Sequence, residues 1–193
     1  MAMTVKILAM SGSSRRDSFN QKLLHAAIAG AREAGAEVTP IRLADFELPL
    51  YDADLEAASG LPAGAKTLQQ LLAGHQALLI ASPEYNGGYT ALLKNTLDWM
   101  SRPGEDGKSG VALFSGKVAA VVSASPGQLG GVRSQVGIRA VLEKLGLLVI
   151  PESMALGAAH AAFDETGALK DPKVEKLVKA VGAALYRTAS RLA

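Results

Sequence analysis

Cysteine is absent from the chain, which excludes disulfides, thiolate nucleophiles and zinc–cysteine sites. Histidine is scarce: His25, His75 and His160 stand far apart without HExxH spacing, so no metal site is expected. Charged residues make up only 20 %, with a net charge of +2 and no basic run. A nucleic-acid partner is therefore not expected, and neither is the acidic docking surface of a small electron carrier. No stretch approaches the roughly 18 uninterrupted apolar residues of a membrane span. A charged-then-apolar leader is not seen before the first apolar run, so a cytoplasmic protein with no membrane partner is the expectation. With no linker, internal repeat or low-complexity tract in view, residues 1–193 read as one domain.

What the chain does have is alternation. Short β-branched apolar runs alternate with segments of helical periodicity, the pattern of an α/β fold with a parallel sheet. Strands are expected at 5–10, 38–43, 77–82, 117–124 and from 147 onward. Pro40 moves the second of these to a sheet edge, because proline cannot donate to a ladder. Helices are expected at 19–34 with Gly35 as the stop, at about 64–73, at 92–100 and at 131–145. Val174, Leu177, Val178, Val181 and Leu185 stripe a closing helix. Five strands and about five helices make a three-layer doubly wound sandwich. Residues 44–62 and 102–116 read as two long irregular stretches, either lids and contact surfaces or local decoration.

In an open parallel sheet, ligands sit beyond the carboxyl ends of the strands, where the strand order reverses. Two polar segments fall at such ends. The first runs Ser11-Gly12-Ser13-Ser14-Arg15-Arg16-Asp17-Ser18-Phe19-Asn20. It is neither G-x-G-x-x-G nor G-x-x-x-x-G-K-[ST], so it does not cradle a pyrophosphate by exposed glycine backbone. The hydroxyls of Ser11, Ser13, Ser14 and Ser18, the Arg15 guanidinium, the Asn20 amide and the free N–H groups of a helix start suit one terminal phosphate. Ser18-Phe19-Asn20-Gln21 also fits a capping box, and a plain helix start remains an open alternative. The second segment runs Pro83-Glu84-Tyr85-Asn86-Gly87-Gly88. An aromatic with glycines there suits the edge and face of a flat ring, while a tight turn into a helix explains the same residues without a ligand. Trp99, at helical spacing from Leu92 and Thr96, reads as core or as a subunit contact. Lys94 and Asp98 form an i,i+4 pair.

Taken together the segments are far more specific. Residues 12–20 match G-S-x-R-x-x-S-x-N, and Pro83-Glu84-Tyr85-Asn86-Gly87 with Leu93-Lys94-Asn95-Thr96-Leu97-Asp98-Trp99 resembles P-E-Y-N…L-K-N-x-x-D-W. Both patterns are those of the NADPH-dependent FMN reductase family. Leu48-Pro49-Leu50-Tyr51-Asp52 and Ser125-Pro126-Gly127-Gln128-Leu129-Gly130-Gly131 also resemble family segments, in the right order. The resemblance covers residues 5–145 and is strongest to bacterial quinone and chromate reductases.

It implies a flavodoxin-like sheet in the order 2-1-3-4-5, with FMN as cofactor and NADPH or NADH as electron donor. Ser13, Arg15, Ser18 and Asn20 would hold the phosphate, with Ser11 and Phe19 also among the cofactor-binding residues. Pro83, Glu84, Tyr85, Asn86 and Gly87 would frame the ring, and the 123–127 turn, with Ser125 and Gly127, would close the other side. The implied reaction is ping-pong hydride transfer to quinones or similar small acceptors such as flavins, azo dyes or chromate. No acid–base couple in the chain is needed for it. A homodimer or homotetramer is expected. A non-enzymatic electron carrier and an FMN-binding regulatory subunit are the alternatives. One departure is plain: where the family has a serine followed by x-P-G, this chain reads Gly88-Tyr89-Thr90-Ala91.

Overall fold

The computed structural model describes residues 4–104 and 106–192. Five parallel strands, β1 (Lys6–Ser11), β2 (Glu37–Arg42), β3 (Ala77–Ala81), β4 (Val118–Ala124) and β5 (Leu148–Leu156), form one sheet in the order β2-β1-β3-β4-β5. This is the doubly wound order 2-1-3-4-5, with its reversal between β1 and β3. Pro40 lies on β2, the edge strand, opposite Ala9, where its missing N–H costs no ladder bond on the outer side. Pro151 lies in the other edge strand, at the register shift that separates Ala119–Val149 from Val121–Ser153.

The central strands are mostly apolar and, Lys6 apart, buried along their length because both faces are covered. Side-chain alternation sorts them into two cores. Ile7, Ala9, Leu79, Ala81, Ala120 and Val122 pack against α1 (Phe19–Glu33) and α7 (Pro172–Leu192). Leu8, Met10, Leu78, Ile80, Ala119 and Val121 pack against α3 (Ala63–Ala73), α4 (Ala91–Met100) and α5 (Val132–Lys144). The three-layer expectation holds.

The reading of residues 44–62 as irregular does not. They contain part of a 3₁₀ turn, Leu43–Phe46, and a helix, α2 (Ala53–Ser59). No residue of α2 is buried, so it has no apolar stripe to reveal it. Its signal is the cap: the Asp52 carboxylate accepts from the N–H groups of Asp54 (2.8 Å) and Leu55 (3.1 Å). A four-residue helix, α6 (Ala159–Ala162), was likewise too short to show a period. Trp99 is fully buried and is a core residue. Its indole N–H donates to the Pro49 carbonyl (2.8 Å), and its ring meets Tyr51 edge-on at 5.0 Å.

Candidate functional site

Three loops leave the carboxyl ends of β1, β3 and β4 side by side. The first is knotted by its own hydroxyls. The Ser13 N–H donates to Ser11 Oγ (3.3 Å), and the Arg15 N–H donates to Ser13 Oγ (3.4 Å). Ser18 caps α1, its Oγ accepting from the Gln21 N–H (3.4 Å). Only half of the expected capping box forms, because the Gln21 side chain donates instead to the Ser13 carbonyl (3.4 Å). Helix start and anion site are therefore compatible readings of the same serine: the Ser18 O–H is still available to donate.

The second loop closes a two-residue turn. Tyr85 and Gly88 exchange both backbone hydrogen bonds at 3.0 Å, with φ of 52° at Asn86 and 82° at Gly87. Positive φ at both central positions is a type I′ turn, which Asn-Gly fits best. The turn presents Tyr85, 59 % exposed, to solvent. Its foot is fixed by Glu84. That carboxylate accepts from the Arg133 Nε–H (2.7 Å), from Nη2 of the same residue, and from the backbone N–H groups of Arg133 (3.1 Å) and Ser134 (3.4 Å). Glu84 thus caps α5, whose N-cap Gly131 has no side chain to do so. The Arg133 hydrogen bond holds the Glu84 carboxyl below the usual carboxylate range, against the opposing effect of burial.

The third loop is tied to the first. The Asn20 amide donates to the Ala124 carbonyl (2.8 Å) and accepts from the Ala124 N–H (3.0 Å). A staple across 104 residues was not legible locally, and it gives Asn20 a positioning role with one N–H to spare. Behind the loops, Ser123, Ser134 and Gln135 form a buried polar brace. Gln135 Nε2 donates to Ser123 Oγ (2.8 Å) and the Met154 carbonyl (2.7 Å), and Ser134 Oγ donates to the Pro83 carbonyl (2.9 Å).

The loops enclose a cleft of about 100 Å³. That is well below the roughly 300 Å³ of a pocket enclosing a whole drug-sized ligand, so it has room for one end of a ligand only. Ser13, Arg15, Ser18, Phe19 and Asn20 line one side. Pro83, Glu84, Tyr85 and Ser125 line the rest, with Ala124 and Pro126. Ser11, Asn86, Gly87 and Gly127 do not line it. Ser11 is buried behind the loop, Asn86 and Gly87 form the turn tip, and the Gly127 N–H is taken by Ser125 Oγ (3.2 Å). A larger cleft of about 410 Å³, against α3 and including Gly104 and Lys108, shares no residue with this set.

The donor set answers what the small cleft accepts. Ser13 and Ser18 bring hydroxyls, α1 brings its N-terminus, and Arg15 rests on the Phe19 ring (5.5 Å) with no carboxylate in salt-bridge reach among the described residues. Asp17 is drawn off to Lys22 (2.5 Å), and Glu84 is neutralised by Arg133. Donors whose neighbouring carboxylates are paired with other cations fit a phosphomonoester.

A family model described as NADPH-dependent FMN reductase matches residues 5–161. The chain belongs to that family. It is an oxidoreductase, with FMN as cofactor and NAD(P)H as electron donor. Among its relatives is an NAD(P)H-dependent FMN reductase of Pseudomonas aeruginosa, 38 % identical over 182 residues, covering 93 % of this chain and 92 % of the relative. A 2-hydroxy-1,4-benzoquinone reductase of a Burkholderia species is 35 % identical over 183 residues, 92 % of either chain. The fold is shared with FerB, a flavoenzyme NAD(P)H:(acceptor) oxidoreductase from Paracoccus denitrificans. The TM-score is 0.80 at 28 % identity, covering 97 % of this chain and 98 % of that one.

The family motif L-K-N-x-x-D-W also gains a physical role. Asn95 Nδ2 and Trp99 Nε1 both donate to the Pro49 carbonyl (2.8 Å each), and Asn95 Oδ1 accepts from the Tyr51 N–H (2.7 Å). The motif clamps residues 49–51 and leaves Leu50 78 % exposed.

Proposed function

We propose that this FMN reductase is a two-electron NAD(P)H:quinone-type reductase in which donor and acceptor use one open face in turn. The observation that carries the reading is the pairing of a cleft sized for a ligand's polar end with an exposed turn on its open side. FMN, when bound, supplies the hydride chemistry itself. The chain's task is to hold and orient. Ser13, Ser18, Arg15 and the start of α1 anchor the phosphate. Pro83 and the Tyr85–Gly88 turn border the ring, and Ser125 closes the opposite side. Asn20 and Glu84 keep these loops at fixed separation. A quinone relative among the matches supports a quinone acceptor, and an open face also admits flavins, azo dyes or chromate.

Steady-state plots at several fixed quinone concentrations are then parallel, and NAD(P)H bleaches the flavin in stopped flow before acceptor is added. Intersecting lines overturn the ping-pong scheme. A flavin reducible only by an external reductase favours the electron-carrier alternative. We further propose a small-molecule partner only, a cytoplasmic location and a homodimer or homotetramer. No helix among the described residues is long and apolar enough to cross a membrane. The clamped, exposed Leu50 supports assembly, and a 19.9 kDa species in light scattering at micromolar concentration overturns it.

A further inference from the structure

The phosphate loop and the ring turn meet at one buried hydroxyl. Thr90 caps α4, its Oγ1 accepting from the Leu93 N–H (3.3 Å). With that lone pair engaged, its own proton is directed to the Gly12 carbonyl, 2.8 Å away. Thr90 is 2 % exposed, so water does not compete for either bond. The approach is close: a Cβ at Gly12 would stand 2.7 Å from Thr90 Oγ1. Gly12 also donates its N–H to the Ala81 carbonyl (2.9 Å), extending the β1–β3 ladder by one residue.

The peptide between Gly12 and Ser13 is consequently held at both polar ends. Its carbonyl is taken by Thr90, and its N–H by Ser11 Oγ (3.3 Å). This plane sets the direction in which Ser13 enters the cleft. On the other side, Thr90 follows the Tyr85–Gly88 turn by two residues. Thr90 thus supplies a direct side-chain bond between the two loops.

We infer that Thr90 is a positioning residue that sets the spacing between the phosphate donors and the ring turn, and so the preference for FMN over the unphosphorylated flavin. A ligand that spans both loops depends on their separation, whereas riboflavin engages the ring turn alone. The inference rests on the assignment of this cleft to the FMN phosphate, which Arg15→Ala tests separately.

The experiment measures FMN and riboflavin dissociation constants for Thr90→Ala, Thr90→Ser and Arg15→Ala. Thr90→Ala should weaken FMN about 5- to 10-fold, the scale of one buried hydrogen bond, and change riboflavin less than about twofold. Thr90→Ser, which keeps the hydroxyl, should restore the FMN-to-riboflavin ratio to within about twofold. Loss of the α4 cap lowers melting temperature but does not by itself alter that ratio, so the ratio isolates positioning from stability. An unchanged ratio in Thr90→Ala, with Arg15→Ala still discriminating the two flavins, overturns the inference. If Arg15→Ala also leaves the ratio unchanged, the phosphate assignment itself falls, and the inference falls with it. If Thr90→Ala does not fold, Gly12→Ala carries the same test by driving a methyl against Thr90 Oγ1, and an unchanged ratio there overturns it equally.

Discussion

Residues 11–20 and residues 83–90 lie against the same cleft but are shaped over different ranges. The first loop is organised chiefly by neighbours: Ser13 on Ser11, Arg15 on Ser13 and Gln21 on Ser18 are bonds spanning two or three residues. The second closes its I′ turn locally but is placed by groups 49 to 78 positions away, at Arg133, at Ser134 and at Gly12. A loop of local hydroxyl turns can form as soon as β1 and α1 meet. A turn placed by remote partners acquires its location only when α4, α5 and the sheet are assembled. The two differ chemically as well: the first collects donors for a charge, while the second offers an open backbone edge and one exposed aromatic.

The largest expected effect tests one long-range tie of the mainly local first loop, the Asn20 staple. Asn20→Ala strands the N–H and carbonyl of buried Ala124 and should cost about 2–4 kcal/mol of stability, read by urea unfolding of the apoprotein. A loss under about 1 kcal/mol would show that the first loop does not depend on β4. Next, Arg15→Ala should weaken FMN by about 1.5–3 kcal/mol, the range for hydrogen bonds to charged groups, with riboflavin unchanged; titration calorimetry with both ligands decides it. Equal losses would break the division of labour between the loops.

Gly87→Ala sharpens the other side. At φ of 82° a Cβ costs about 1–2 kcal/mol, and with the turn proposed to border the ring, FMN and riboflavin should weaken together. A change confined to FMN would move this turn to the phosphate end.

The smallest effect is Glu84→Gln, about 1 kcal/mol of stability at neutral pH from the weakened clamp on α5. Its pH dependence has a defined sign. Arg133 depresses the folded-state value of Glu84, so the clamp stabilises fully above the ordinary glutamate pKa of about 4.3 and is lost as pH falls through the depressed folded value. The difference between wild type and Glu84→Gln should be constant from pH 6 to 8 and shrink in the acid range. A constant difference down to pH 3 would remove the ionised carboxylate from the account.

Much of this was legible before any fold was known. β-Branched runs alternating with helical stripes specify strands, helices and a parallel sheet through burial alone, and Pro40 marks an edge through its missing donor. Ser18 declares a helix start, and Asn86-Gly87 declares a turn, because both act within four residues. α2 escaped because it buries nothing, so no periodicity betrays it; only Asp52 signalled its start. The dual burden on Asn20, the capping of α5 by Glu84 and the hydroxyl bridge from Thr90 escaped for another reason. Each joins residues 49 to 104 positions apart, and nothing in a local pattern encodes which carbonyl or helix end will face a side chain. The sequence by itself determined the five strands, the five longer helices, the donor chemistry of residues 11–20 and the family, since these follow from residue type and short spacing. Only the tertiary structure decided which of those donors remain available to a ligand and which hold the loops apart, because a hydrogen-bonding group takes the partner that packing brings to it.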